Sequence, residues 1–280
     1  MRAYLEQNAA RALTPTGGFL RGFAFSLNPY TGCAFGDGGG CPYCYVRALP
    51  VAHARPGAWG EWVIAKINLP ELLERELAAL DRNGKLANAT IFMSSATDPY
   101  QGFERRLSIT RRALEAFVRR PPRRLLIQTR SPLIERDIDV IARLGDRAIA
   151  SITVETDDDA VRRALTPTSP AVARRLTTMR RLRAAGIFTQ MAIAPMLPND
   201  PLHFAELAAE VADRVIVDTY FDGDGANGRR SRALGIGELY ERLGYAEWFQ
   251  PGAERNLLAA MRARLGADRV LFSRSGFNEV

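Results

Sequence analysis

The chain of 280 residues (30.9 kDa) is 47% hydrophobic and 25% charged, enough apolar material for a sizeable core, which excludes a disordered protein. No run approaches the roughly 18 uninterrupted apolar residues of a membrane span, and the N-terminal residues are too polar for a secretory signal. A cytoplasmic protein with no membrane attachment is expected. The net charge is +7, and Lys66 and Lys85 are the only lysines among 38 basic residues. Such an arginine bias reads either as coding bias or as a basic surface for a polyanion. The doublets 105–106, 111–112, 119–120, 174–175 and 180–181 fall on helical stretches, where solvated faces are the simpler reading.

In chain order, short apolar runs at 24–31, 89–94, 124–129, 148–154, 187–194 and 214–220 read as strands. Amphipathic segments at 70–83, 103–120, 133–144, 170–186, 201–212 and 252–265 read as helices between and after them. Ser131-Pro132 and Ser169-Pro170 look like helix N-caps followed by a first-turn proline, and Gly186 like a left-handed helix end. Residues 45–69 form an insertion with a short strand at 62–67. The alternation predicts an α/β fold with a parallel sheet, a partial (β/α)6 barrel, with an open doubly wound sheet as the competitor. The expected organisation is an N-terminal extension (1–21) and one domain (22–280) that ends in a helix and a strand. In either architecture the chemistry belongs at the strand C-termini.

All three cysteines lie at the end of the first predicted strand, as Cys33, Cys41 and Cys44, a C-x7-C-x2-C array. A C-x2-C pair lets two thiolates hold one metal centre, and the four glycines of the seven-residue gap permit a bulge that returns Cys33 to it. Three thiolates leave one iron of a [4Fe–4S] cube open to another ligand. Two alternatives stand beside this: a closed zinc site with His53 as fourth ligand, and a redox dithiol.

The segments 26–33 (SLNPYTGC) and 41–47 (CPYCYVR) resemble the radical S-adenosylmethionine superfamily, in particular its spore photoproduct lyase-like branch. The resemblance continues through 96–101 (ATDPYQ), 129–131 (TRS), 151–154 (SITV), 165–170 (LTPTSP), 183–187 (RAAGI) and 194–198 (APMLP), covering residues 22–220 in order. The usual signature of the superfamily is C-x3-C-x2-C, so the first gap is longer here.

The resemblance implies a [4Fe–4S] cluster on Cys33, Cys41 and Cys44. It also implies S-adenosylmethionine bound at the open iron, and an external one-electron reductant of the flavodoxin or ferredoxin type. Carried across position by position, Tyr43 lies beside the adenine and Ser94, Ser95, Thr97 and Asp98 face the methionine ammonium. Arg130 grips its carboxylate, Ser151 and Thr153 meet the ribose, and Ala192, Ile193 and Ala194 offer backbone to the base. Ser151 and Thr153 share one face of their strand. Lys66, in a similar family segment, is either a functional ammonium or a chance survivor. No fourth cysteine exists and Ser94 and Ser95 stand where the lyase keeps its hydrogen-atom donor, so thymine-dimer repair is not expected. Nucleic acid is a candidate substrate, with the Gly/Asp-rich loop and Arg229, Arg230 and Arg232 as a lid over the pocket or a solvated loop. The competing function is a non-catalytic nucleic-acid-binding protein with structural zinc.

Overall fold

The computed structural model describes residues 3–35 and 41–279. Eight strands form one sheet in the order β2 (Leu13–Pro15), β3 (Phe25–Leu27), β6 (Thr90–Met93), β7 (Arg124–Thr129), β8 (Ala148–Thr153), β9 (Phe188–Ile193), β10 (Arg214–Val217), β11 (Val270–Phe272). All neighbours are parallel except β2, which runs antiparallel on the edge strand side of β3. The sheet stays open, with β2 and β11 as its edges. A second sheet joins β1 (Ala3–Gln7), β5 (Trp62–Lys66) and β4 (Tyr30–Gly32). This is the partial-barrel class expected, with the six predicted strands present and the C-terminal strand β11 joining them as a seventh parallel strand.

Alternation along the strands builds the core. Ile91, Ile127, Ile152, Met191 and Val215 face one side, where they pack on Leu73, Leu77, Phe117, Leu176, Met179, Phe204 and Met261 of the crossover helices. The opposite phase, Phe92, Leu126, Ile149, Ala192, Ile216 and Leu271, forms the inner face and is closed by Phe23 and Phe277. Each helix turns its apolar stripe inward at i, i+4 spacing, as Leu69, Leu73 and Leu77 do on helix Leu69–Arg82.

Several elements differ from the sequence reading for identifiable reasons. The segment 24–31 is two strands, because β4 leaves the main sheet and pairs antiparallel with β5. The helix expected over 103–120 breaks at Ser108, whose φ is 50°. Residues 133–144 form mostly 3-10 turns around the short helix Ile138–Ile141; Ser131 does cap the first of these, accepting a hydrogen bond from the Leu133 N–H. Ser169 caps nothing: the next helix, Val172–Ala184, starts beyond it, and its hydroxyl and carbonyl accept from Arg130 and Arg162. Gly186 has φ 76°, the left-handed helix end expected.

The N-terminal segment is woven into both sheets. Glu76 accepts from the Ala12 and Leu13 N–H groups at 2.9 and 2.7 Å, and Asn68 exchanges two hydrogen bonds with the backbone of Ala9. Loop 222–232 is no loose lid. Buried Asp224 accepts from the N–H groups of Ala226, Gly228, Arg230 and Ser231, which winds the chain into the short helix Arg229–Ala233. The exposed arginine doublets are mostly ion-paired, for example Arg119 and Arg120 with Glu74 and Arg174 and Arg181 with Glu135.

Candidate functional site

The three cysteines meet at the C-terminal end of the main sheet. Cys33 follows β4, and Cys41 and Cys44 bound a turn closed by a 3.0 Å hydrogen bond from the Cys44 N–H to the Cys41 carbonyl. The glycine-rich stretch 36–40 proposed to return Cys33 to the centre lies outside the described residues. Position 32 requires glycine: its φ is +85°, and a Cβ would lie 2.2 Å from the carbonyl oxygen of Trp62. Cys33 is then clamped from both sides by fully buried Gln101. The amide oxygen of Gln101 accepts from Ala34 N–H at 2.9 Å, and its amide nitrogen donates to the Gly32 carbonyl at 3.4 Å.

All three thiols are free. Burial pushes each of them up, Cys44 to about 11, and at Cys41 the Arg130 guanidinium opposes the effect. Neutral thiols in such a place become ligands when a metal's positive charge compensates for lost solvation. Among the described residues no group of three His, Cys, Asp or Glu side chains is compact enough to hold a single metal ion. A closed zinc site needs that compactness. A cube does not, since each thiolate binds a different iron.

Above the cysteines, the turn after β6 offers two buried hydroxyls without partners, Ser94 Oγ and Thr97 Oγ1. Unmet buried groups cost ~1–3 kcal/mol each, so they mark where a polar ligand fits. The turn is organised by Asn28, whose amide bonds Ser95 Oγ and the Ala96 N–H, and Ser94 itself sits at φ 71°. Asp98 is already engaged: it accepts from Thr129 Oγ1 and from the N–H groups of Tyr100 and Arg130. Lys66 lies on the same face of β5 as Trp62 and Ile64, which pack on Cys33, Cys44 and Ala96. Its ammonium donates to the Asn28 carbonyl at 2.8 Å, and burial pulls its pKa down.

Ser151 and Thr153 do share the inner face, and both are partnered: Gln190 Nε2 donates to Ser151 Oγ at 2.8 Å and Gln128 Nε2 to Thr153 Oγ1 at 2.6 Å. Gln128, Ser151, Gln190 and Arg214 stand in register across β7 to β10. Together they make a polar floor, with Arg214 Nε donating to Gln190 Oε1 at 2.8 Å and Gln128 Oε1 left without a partner. Ala192 and Ile193 are fully buried, and Ala194 half-buried, along β9 and its end. Their carbonyls are partly used, Ala192 by Val154 N–H and Ile193 by Asp218 N–H.

Tyr43 is buried beside Tyr220 and Glu155. Its ring meets Tyr220 edge-on at 6.1 Å, and its hydroxyl donates to Glu155 Oε1 at 3.2 Å. Arg130 is likewise engaged, with Nη1 at 3.0 Å from Cys41 Sγ and 3.1 Å from Ser169 Oγ, and Nη2 at 3.1 Å from Glu155 Oε1. Burial alone would raise the Glu155 carboxyl, but Arg130 and Arg175 on either side outweigh it and hold it at about 2. Asp218, beyond β10, is raised to about 7 by burial. The helix carrying Arg229, Arg230 and Arg232 packs beside the turn Tyr45–Ala48.

Sequence reasoning missed Asn28, Gln101, Gln128, Glu155, Arg175 and Gln190. Gln128 and Gln190 carried a legible signal: each is a polar residue in the inward phase of an otherwise apolar strand. Asn28, Gln101 and Glu155 lay in or beside quoted motifs but were not singled out. Arg175 has no distinguishing mark in so arginine-rich a chain.

Comparison with known proteins matches residues 27–211, more than half of the chain, to the Radical SAM superfamily. The chain belongs to that superfamily. An uncharacterized protein of Methanocaldococcus jannaschii is 28% identical over 70% of this chain and 68% of its own length. Uncharacterized proteins of Acidianus two-tailed virus (28% identical, 62% of this chain) and Mycobacterium tuberculosis (27%, 68%) match over 56% and 55% of their lengths. Among solved structures, spore photoproduct lyase complexed with dinucleoside spore photoproduct superposes with a TM-score of 0.67 at 12% identity, over 96% of this chain and 81% of the lyase. Streptococcus suis SuiB bound to S-adenosylmethionine gives 0.50 at 15% identity, over 78% of this chain and 47% of SuiB. At these identities the likeness is one of fold. Among the described residues no helix is long and apolar enough to cross a membrane.

Proposed function

We propose that the protein is a radical S-adenosylmethionine enzyme that holds a [4Fe–4S] cluster on Cys33, Cys41 and Cys44 and acts on a substrate of unassigned class. The observation that carries this reading is the pairing of three half-buried free thiols with the unpartnered buried hydroxyls of Ser94 and Thr97. When bound, the reduced cluster and S-adenosylmethionine supply one electron and a 5′-deoxyadenosyl radical for hydrogen abstraction.

The chain's own contribution is binding and orientation. Gln101 fixes Cys33, while Ser94, Ser95 and Thr97 present oxygens to the methionine ammonium; Asp98 shapes this turn through its three hydrogen bonds. Ser151 and Thr153 offer the ribose hydroxyls that already belong to a hydrogen-bonded floor, and Ala192, Ile193 and Ala194 form the wall for the base. Tyr43 supports the cysteine turn from below through Tyr220 and Glu155. The reductant is an external flavodoxin- or ferredoxin-type donor. Nucleic acid remains a candidate substrate because exposed Arg229 and Arg232 lie on the helix that packs beside the turn Tyr45–Ala48, directly after Cys44. The absence of a fourth cysteine argues against thymine-dimer repair.

Anaerobically reconstituted protein should carry about four irons per chain. After reduction with dithionite it should convert S-adenosylmethionine to 5′-deoxyadenosine without added substrate. A reducible, intact cluster that yields no 5′-deoxyadenosine on chromatography refutes the reading; a colourless protein with one zinc supports a structural metal instead.

A further inference from the structure

The charges beneath the cysteines converge on one guanidinium. Arg175, on helix Val172–Ala184, is fully buried, and the Arg130 side chain is 15% exposed. Between them stands one carboxylate, Glu155, whose Oε2 accepts from Arg175 Nη1 at 2.6 Å and whose Oε1 lies 3.1 Å from Arg130 Nη2. Asp98, also buried, accepts from the backbone N–H of Arg130 and leaves its guanidinium to other partners. The remaining direction of the Arg130 fork is taken by sulfur: Nη1 points at Cys41 Sγ, 3.0 Å away.

The fork is held on every side. The Arg130 N–H donates to Asp98, Nη1 also reaches Ser169 Oγ, and Tyr43 donates its hydroxyl to the same Glu155 oxygen. Arg175 is anchored in turn by a 2.7 Å bond from Nη1 to the Thr153 carbonyl. The planar geometry of a guanidinium lets one residue bridge a sulfur and a carboxylate at fixed angles, which lysine cannot do.

We propose that Arg130 is the positioning residue that sets the reduction potential of the cluster on Cys41, with Glu155 and Arg175 aiming its guanidinium at the sulfur. This rests on the functional reading above. Reduction adds negative charge to a thiolate-bound cluster. A cation donating a hydrogen bond to a ligand sulfur therefore stabilises the reduced form and raises the potential.

The test is a redox titration of the iron-loaded protein, without S-adenosylmethionine, followed by electron paramagnetic resonance. Arg130→Gln should shift the midpoint to more negative potential, and Arg130→Lys should recover part of the shift. An Arg130→Gln protein with the parent's midpoint overturns the proposal, and weakened S-adenosylmethionine binding at that unchanged midpoint would make Arg130 a carboxylate ligand. Should Arg130→Gln hold no cluster, Arg130→Lys decides: a midpoint below the parent's sustains the proposal and an equal one overturns it. A parent protein that binds no iron refutes the functional reading itself, a result separate from any midpoint.

Discussion

The two faces of the main sheet are made from the same strands and behave as different materials. Outward, Ile91, Ile127, Ile152, Met191 and Val215 meet only hydrocarbon from the crossover helices. Inward, an apolar layer of Phe92, Leu126 and Ile149 is followed by the polar row Gln128, Ser151 and Gln190, and on β9 and β10 by Ala192 and Ile216. A protein stabilised by hydrophobic burial has no use for a buried row of amides and hydroxyls as such. The outer face holds the fold together; the upper inner face is shaped for something polar.

The largest effect that separates the faces should come from the outer one. Ile127→Ala, at a fully buried position among the helices, should cost ~2–5 kcal/mol in denaturant unfolding while leaving the iron content of the folded fraction unchanged. Iron lost from that folded fraction would show that the faces are coupled. Gln101→Leu should do the reverse. It leaves the Ala34 N–H and Gly32 carbonyl unmet, at a cost of ~1–3 kcal/mol for each, and should strip iron from protein that remains folded. Full iron content in Gln101→Leu would mean that Cys33 is held by other means.

A pH-dependent effect concerns Asp218. Burial raises its carboxyl to about 7, so the native state keeps a proton that the unfolded chain releases near its ordinary value of 3.8. The native state thus binds more protons between those values, and stability falls as pH rises from about 4 to 7. Asp218→Asn should abolish that part of the slope and melt above the parent at pH 8, with little difference at pH 4. Parallel melting curves across this range would remove Asp218 from the account.

Much of the outer face was legible because it obeys one simple period per element: apolar runs for strands, i and i+4 stripes for helices. Leu73 and Leu77, or Ile91 and Met93, announce their direction without help from the rest of the chain. What escaped was set by tertiary context. Residues 24–31 read as one strand, yet β4 is drawn aside to β5 by a glycine that admits the backbone of Trp62. Loop 222–232 looked mobile because its glycines were visible, while Asp224, which winds it, looked like one more acidic residue.

The site was legible in its motifs and less so in its roles. Ser94 and Thr97 lie on the turn whose Ser95 carbonyl accepts from the hydroxyl of Tyr45, the residue after Cys44. Asp98 and Arg130 come to the same place, but with their polar atoms occupied by neighbours. The support beneath them depends on Glu155 and Arg175, 20 residues apart and joined only by the return of a helix over its strand.

The polar floor acts as a filter on what can rest against it. The carbonyl of Gln128 is already out of water without a partner, and a hydrocarbon resting over Gln128 and Gln190 leaves it so. At ~1–3 kcal/mol for one stranded group, an apolar molecule is disfavoured roughly five- to 150-fold against one that brings a donor to that oxygen.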